Sequence, residues 1–432
     1  MTNMELTTIM RYNDWWETGH PRKELVMPYR RPQFKSILKY IDDRQILLLY
    51  GLRRVGKTTL LYQIIDELLS RGVEPKDILY FSFDESESAI DSLIQAYETG
   101  IIMSQIKDRK RVFLVLDEVQ KGNDWENRIK IYYDLYPNVK FIISGSASLN
   151  VRKRSGETLA GRLYSFYIGA LSFAEFLELK GIHPVLENWR IQENSVKPLL
   201  MDYIVKGGFP ELVNEEKQEK ILSYVKSIVL DRIVLIDVPE EFGIRDTDLL
   251  KKLVEMVASD PGFILNYDSL SKKLGRSKQT IINYIFYLEY SLVIKTVKNM
   301  RPGFLSSSRK MRKVYFTNSA FQFAARGLTY DNLGKVAENA VFQASSPDNY
   351  YREGQEEIDF LITRDGKVTP IEVKYGAYEA DGIITLVKKL GLSYGIIVSR
   401  DEYRIHERNG VKIRIIPLWL FVLYPYRIEE IP

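Results

Sequence analysis

Two sets of residues in this sequence could do chemistry by their types and spacing. The first begins with Gly51-Leu-Arg-Arg-Val-Gly56-Lys57-Thr58, which fits G-x-x-x-x-G-K-[ST] throughout. Its glycines let backbone N–H groups curl around phosphate oxygens at the positive end of the helix that follows. Lys57 would reach the β- and γ-phosphates of ATP, and the Thr58 hydroxyl would bind Mg²⁺. Gly51, Arg54, Gly56, Lys57, Thr58 and Thr59 are the candidate nucleotide contacts of this loop. Further on, the apolar run Val112-Phe-Leu-Val-Leu116 ends in Asp117-Glu118. There Asp117 would hold the Mg²⁺, commonly through water, and Glu118 would polarise the attacking water.

The second set is Glu356-Glu357-Ile-Asp359 followed by Pro370-Ile-Glu372-Val-Lys374. On a strand, Glu372 and Lys374 share one face while Ile371 and Val373 share the other. Asp359, on the preceding strand, can meet Glu372 across the sheet. Two such carboxylates would hold Mg²⁺, with Mn²⁺ as the alternative, and a water, and Lys374 would stabilise the transition state or position that water. A bare Glu-x-Lys carries little weight, since Glu178-Leu-Lys180 is another in this chain.

The elements that must position these groups are legible as patterns. Apolar runs at Ile46–Tyr50, Ile78–Phe83, Val112–Leu116 and Val139–Ser144 alternate with helical stretches such as Thr58–Ser70, which predicts a parallel α/β sheet. From about Leu171 to Val238 the periodicity is mostly helical. From Tyr315 the pattern returns to α/β, with strands expected near Glu357–Thr363, Pro370–Lys374, Gly395–Ser399 and Lys412–Pro417. No internal repeat or low-complexity tract interrupts the chain.

The Arg53-Arg54 doublet inside the phosphate loop, with Leu-Asp117-Glu118-Val-Gln120 and Ile-Ser144-Gly-Ser146-Ala, resembles the AAA+-type, STAND-related ATPases of archaea and bacteria. The likeness runs on through Leu159-Ala-Gly-Arg162, Leu171-Ser-Phe173-Ala-Glu175-Phe and Gly207-Gly208-Phe209-Pro210. It implies that Ser144 or Ser146 is a polar sensor at its strand end. It implies too that Pro210 belongs to an element packing on the nucleotide, and that Arg162 is a candidate γ-phosphate contact, a surface or domain-interface role being the alternative. Arg53 and Arg54 fit packing or a neighbouring subunit equally. The Asp359, Glu372 and Lys374 pattern resembles the PD-(D/E)XK, restriction-endonuclease-like nuclease core. By that likeness Glu338 is the upstream acid, so Glu338, Asp359 and Glu372 are the candidate metal ligands; a salt-bridged sheet in a degenerate nuclease fold is the alternative.

Between these sets lies a helix-turn-helix pattern. Leu270 and Leu274 share one face of a short helix, Gly275 makes the turn, and Ser277 caps a second helix striped by Ile281, Ile285 and Leu288. Residues 276–313 hold nine basic residues against the single acid Glu289, a net of +8 within a chain of +4. A basic segment on a mildly acidic body points to a polyanion, and a winged helix with DNA as its partner is the expectation. A protein-binding module or a lid is the alternative.

Composition closes off other chemistry. With 432 residues, 45% of them hydrophobic, the chain can bury several cores. It contains no cysteine, which excludes disulfides, thiolate metal sites and Cys nucleophiles, and its three histidines are far apart. No apolar run approaches the ~18 residues of a membrane span. Asn13 and Asp14 stand where a signal peptide would be apolar, so a soluble, cytoplasmic protein is expected. The expected fold is α/β and multidomain: a P-loop AAA+-like parallel core over 1–170, a helical lid over 171–245, a winged helix-turn-helix over 246–315 and a restriction-endonuclease-like α/β domain over 316–432. The expected function is an ATPase acting on DNA with a nuclease-like C-terminal domain. A nucleotide-switched regulator with an inactive nuclease fold is the alternative, and the AAA+ likeness admits a homo-oligomer.

Overall fold

The structure, a computed structural model, describes residues 6–84, 89–145, 159–300, 308–327, 332–378 and 380–431. It divides into two compact units, Met1–Gly169 and Ala170–Pro432. The first is built on strands β1 (Ile46–Tyr50), β2 (Ile78–Ser82), β3 (Val112–Asp117), β4 (Val139–Gly145) and β5 (Leu163–Tyr167). They form one parallel sheet in the order β2-β3-β4-β1-β5. Apart from β5 these strands are nearly continuous apolar runs because helices cover both faces of a parallel sheet. Strand β5 was not among the expected strands: its Leu-Tyr-Ser-Phe-Tyr is only partly buried, as an edge allows.

The other edge, β2, is closed by side chains. The Asn13 amide donates to Tyr80 O at 2.9 Å and its oxygen accepts from Tyr80 N at 2.7 Å, as a neighbouring strand would. The indoles of Trp15 and Trp16 both donate to Ile78 O, at 3.1 and 2.9 Å. An edge so occupied cannot template pairing with another chain. The sheet's order matters for chemistry: β4 lies between β1, which feeds the phosphate loop, and β3, which ends in Asp117.

The second unit opens with helices, among them Phe173–Leu179, where Ser172 and Glu175 form a reciprocal capping box. Helices Tyr267–Leu274 and Lys278–Tyr290 follow, joined through Gly275 at φ +61°. The Ser277 hydroxyl accepts from Thr280 N at 3.1 Å, and Ile281, Ile285 and Leu288 are buried. Next comes an eight-stranded sheet in the order β12-β13-β11-β10-β9-β8-β6-β7. Its strands are β6 (Ile294–Asn299), β7 (Ser308–Phe316), β8 (Asn349–Glu353), β9 (Glu356–Arg364), β10 (Lys367–Lys374), β11 (Tyr394–Ser399), β12 (Arg404–Arg408) and β13 (Val411–Pro417).

The boundary read between 315 and 316 therefore falls inside β7. The antiparallel β6–β7 pair joins the C-terminal strands through a short parallel match, Lys298 with Asn349 and Asn299 with Tyr350. Two residue pairs leave no periodicity in a sequence, so the join was not legible there.

Candidate nucleotide site and the acid cluster of the second unit

The phosphate loop leaves β1 under tight steric control. A Cβ at Gly51 would stand 2.0 Å from Ile168 O, so only glycine lets the chain pass β5's continuation. Gly56, at φ +94°, turns the chain into the helix Lys57–Ser70. Arg54 is also left-handed, at φ +64°, and exposed. Buried Arg31 braces the loop from outside, donating to Val55 O at 3.1 Å and Gly169 O at 2.9 Å. The Lys57 ammonium is buried within the loop, 3.0 Å from Leu52 O, 3.3 Å from Gly51 O and 3.7 Å from Glu118 Oε1.

Asp117 collects the other groups. Its carboxylate accepts from Thr58 Oγ1 at 2.6 Å, from Tyr80 Oη at 3.1 Å and from the Ser144 hydroxyl. Burial and the adjacent Glu118 push its carboxyl above the usual range, and the Ser144 and Thr58 hydrogen bonds and Lys57 oppose that. Glu118 follows at φ +49°, a left-handed backbone that costs an ordinary residue roughly 1 kcal/mol and aims its side chain at Lys57. Gln120 Nε2 donates to Glu118 Oε2 at 2.5 Å. A hydroxyl beside a carboxylate is the hard-oxygen donor set that Mg²⁺ takes with nucleotide phosphates, so these residues fit a magnesium nucleotide.

The structure thus brings Gly51, Gly56, Lys57, Thr58, Asp117, Glu118 and Ser144 together, with Thr59 half-buried in the helix's first turn. It does not bring Arg162. That residue's O accepts from Ile46 N at 2.8 Å, beside the first residue of β1, whereas Gly51 follows the last. The strand's length, roughly 17 Å at ~3.3 Å per residue, lies between them. Its guanidinium pairs instead with Asp134 at 3.0 and 3.2 Å. Ser146 lies outside the described residues. Pro210 belongs to the second unit, where it opens a short 3₁₀ turn after Gly207 and Gly208. Sequence reading missed Tyr80 and Arg31, whose roles depend on sheet register and on a fold-back of the chain. Gln120 lies in the strand-end motif, but its bond to Glu118 does not show in the spacing.

The second set of acids also converges, but on a lysine. Glu338 comes from helix Leu333–Ser345, Asp359 from β9 and Glu372 and Lys374 from β10. Asp359 N donates to Glu372 Oε2 at 3.2 Å, Val373 N donates to Asp359 Oδ2 at 3.0 Å, and Lys374 Nζ donates to Glu372 Oε1 at 2.6 Å. Lys313 of β7 reaches in with its ammonium 2.5 Å from Glu357 Oε1, 3.2 Å from Asp359 Oδ1 and 3.6 Å from Glu338 Oε1. Burial pulls Lys313 down, but Asp359, Glu338 and Glu357 outweigh it and hold the amine above the usual range. Burial, then Asp359, push Glu372 up to about 7 against the pull of Lys374. Burial and Asp359 raise Glu338 as well.

The metal expected at Glu338, Asp359 and Glu372 does not fit this arrangement. Among the described residues no group of three or more acids or histidines stands as a metal-binding set. The oxygens of Asp359 and Glu372 are engaged by Lys313, Lys374 and backbone N–H groups, and those of Glu338 by the Tyr315 hydroxyl and Lys335.

The basic segment is also less cationic in place than by count. Arg276 pairs with Asp246 at 2.8 Å, Lys278 with Asp268 at 2.9 Å and Lys295 with Asp348 at 2.9 Å, while Lys313 is buried in the acid cluster. Arg301 and the side chains of Arg309 and Lys310 lie outside the described residues. Among the described residues no helix is long and apolar enough to cross a membrane.

Comparison with known proteins agrees with the first unit's geometry. Residues 43–177 match the family described as AAA domain, residues 197–332 a domain of unknown function (DUF8612) and residues 333–421 another (DUF4143). An uncharacterized protein of Haemophilus influenzae is 25% identical over 415 residues, covering 90% of this chain and 98% of that one. Uncharacterized protein MJ1544 of Methanocaldococcus jannaschii is 28% identical over 419 residues, covering 89% and 90%. MJ1637 of the same organism is 28% identical over 411 residues, covering 86% and 84%. The structure of C. elegans PCH-2 aligns with 66% of each chain at 15% identity and a TM-score of 0.23, too low to carry an argument. The AAA domain match and the loop geometry together support a P-loop ATPase of the AAA type in the first unit.

Proposed function

We propose that this protein binds and hydrolyses ATP in its first unit and uses the nucleotide cycle to govern a second unit that holds DNA without cutting it. The observation that carries the ATPase reading is the convergence of Thr58 and Ser144 on Asp117, with Lys57 and Glu118 alongside. Mg²⁺ bound with the nucleotide supplies charge neutralisation across the phosphate oxygens, and Thr58 and Asp117 are the residues to hold it. Lys57 exchanges its bonds to Gly51 O and Leu52 O for phosphate oxygens. Glu118, kept in place by Gln120, accepts hydrogen-bonding from the attacking water and withdraws its proton. Backbone N–H groups at the start of helix Lys57–Ser70 complete the anion cradle.

The test is Mg²⁺-dependent ATP turnover. Lys57→Ala should abolish it with the fold intact, and Glu118→Gln should keep ATP binding while losing turnover. Undiminished turnover in both variants would overturn the assignment.

For the second unit, the capped helix Lys278–Tyr290 beside Tyr267–Leu274 supports a winged-helix DNA contact, with Lys272, Lys273 and Gln279 exposed. The Asp359, Glu372 and Lys374 set speaks against metal-dependent cleavage, because Asp359 serves Lys313 and Glu372 serves Lys374. A protein partner is the second reading. It is favoured by the stacked pairs Phe242–Tyr287 and Phe286–Tyr290, whose Phe286 is 45% exposed. A salt-dependent electrophoretic shift of duplex DNA, weakened by Lys272→Ala/Lys273→Ala, separates the two. Cytoplasmic residence and assembly into a homo-oligomer belong to the same proposal.

A further inference from the structure

We propose that Lys313 is the resident cation of the second unit's acid centre, standing where a divalent metal would stand, so that this centre takes a metal only when the lysine is removed. The inference rests on the non-cutting reading of the second unit and goes beyond it by naming what replaced the metal.

Position is the first argument. The Lys313 ammonium lies between three carboxylates from two elements: Glu338 on a helix, and Glu357 and Asp359 on β9. The residue is 3% exposed, and the Tyr350 ring lies 5.2 Å beneath its nitrogen. Its separations of 2.5–3.6 Å are those of an ammonium donating to several oxygens. A hard divalent ion would draw the same oxygens to ~2.0–2.6 Å.

Charge is the second. Formally, the carboxylates of Glu338, Glu357, Asp359 and Glu372 face the cations Lys313, Lys335, Lys374 and Arg352. Lys335 stands 3.1 Å from Glu338 Oε2, Arg352 3.1 Å from Glu357 Oε2 and Lys374 2.6 Å from Glu372 Oε1. Lys335 also reaches the more exposed Asp260 at 3.4 Å. Asp260 aside, the four carboxylates and four cations formally balance. A divalent ion added to them would bury uncompensated positive charge, which is costly in a low-dielectric interior.

Immobility is the third. Strand β7 is held on both sides at Lys313: Val297 of β6 faces it on one, and Ile264 bridges to it on the other. Gly262 N donates to Val314 O at 2.7 Å and Leu265 N to Arg312 O at 2.8 Å. A Cβ at Gly262 would stand 2.6 Å from Glu338 Oε1 and 2.8 Å from Tyr315 Oη, so the backbone itself walls the centre. The strand that delivers Lys313 cannot slide aside without breaking both ladders.

The experiment titrates Mn²⁺ into the nucleotide-free full-length protein and reads bound metal from the loss of the free-ion electron paramagnetic resonance signal. Wild type and Asp359→Asn should give the same curve. Lys313→Ala should take up one further Mn²⁺ per chain, at least tenfold more tightly than any wild-type site, and Lys313→Ala/Asp359→Asn should lose it. A folded Lys313→Ala that gains no ion overturns the proposal. So does a wild-type Mn²⁺ site that Asp359→Asn removes, and this arm decides the matter if Lys313→Ala does not fold. Wild-type cleavage of DNA that Lys374→Ala leaves unchanged would sink the non-cutting reading alone, without touching the place of Lys313.

Discussion

Thr58 and Asp117 meet at 2.6 Å although their strands are not neighbours in the sheet. Thr58 opens the helix after β1 and Asp117 closes β3; the gap between these strands is filled by β4, whose Ser144 donates to the same carboxylate. The nucleotide site is therefore assembled by topology, with three strand ends converging on one buried acid. Local sequence supplies each group, and the sheet order supplies their meeting.

That meeting predicts the effect of Thr58→Ala. The variant removes a hydroxyl that both bonds Asp117 and would bind Mg²⁺, while leaving the glycines and Lys57 in place. ATP turnover should fall roughly 100-fold, about 2.7 kcal/mol of transition-state stabilisation, with a raised Mg²⁺ requirement. Steady-state turnover across a Mg²⁺ titration checks it. Wild-type turnover at low Mg²⁺ would show that Thr58 has no part in metal binding.

Arg31 acts on the loop's shape. It donates to Val55 O and Gly169 O from a buried position, fixing backbone that must present its N–H groups to phosphates. Arg31→Ala should raise KM for ATP about tenfold, or ~1.4 kcal/mol, with a smaller change in kcat, because it loosens the cradle without touching the water-activating groups. A matching fall in kcat with KM unchanged would refute this role.

Glu372 gives a pH dependence whose sign follows from its direction of shift. Burial and Asp359 raise its folded-state pKa to about 7 from the ordinary 4.5 of a glutamate. Between those values the folded chain holds a proton that the unfolded chain has released. The contribution is therefore fully present below about pH 4.5 and is lost as pH rises towards 7. Relative to Glu372→Gln, wild type should lose on the order of 3 kcal/mol across that window, an upper figure given the neighbouring lysine. Urea unfolding of both proteins at pH 4.5, 5.5, 6.5 and 7.5 measures the difference. A difference that does not change with pH would contradict the buried, proton-holding Glu372.

How much of this was legible in the sequence follows from the range of each interaction. The phosphate loop, the Asp117-Glu118 strand end and the Ser277-capped helix are local patterns, and the residues occupy those elements in the structure. Asp359 and Glu372 were placed on neighbouring strands by period-two reasoning, and β9 and β10 do pair. Lys313 was read as one cation among nine on a basic segment. Its true partners lie 25 to 46 residues away on other elements, and no periodicity links a lysine on β7 to acids on β9. Arg162 shows the reverse case: the parallel register of β5 with β1 sets this motif residue at the far end of β1 from Gly51, which the motif itself does not reveal.

Lys140 bears on stability and not on chemistry. It stands near the start of β4 with 1% of its surface exposed, and its ammonium donates to Tyr40 O at 2.8 Å, Asp43 O at 2.7 Å and Gln45 O at 2.6 Å. The loop between helix Pro32–Leu38 and β1 thus hands three carbonyls to one side chain. Lys140→Met keeps the stem's packing but leaves those acceptors without their donor. At roughly 1 kcal/mol for each carbonyl left unsatisfied, the first unit should lose about 3 kcal/mol. Because β1 follows this loop and leads into Gly51, loosening it should also raise KM for ATP. Guanidinium unfolding followed by tryptophan fluorescence, with ATP turnover measured in parallel, tests both effects. A Met variant as stable as wild type would mean that water reaches these carbonyls once the lysine is gone.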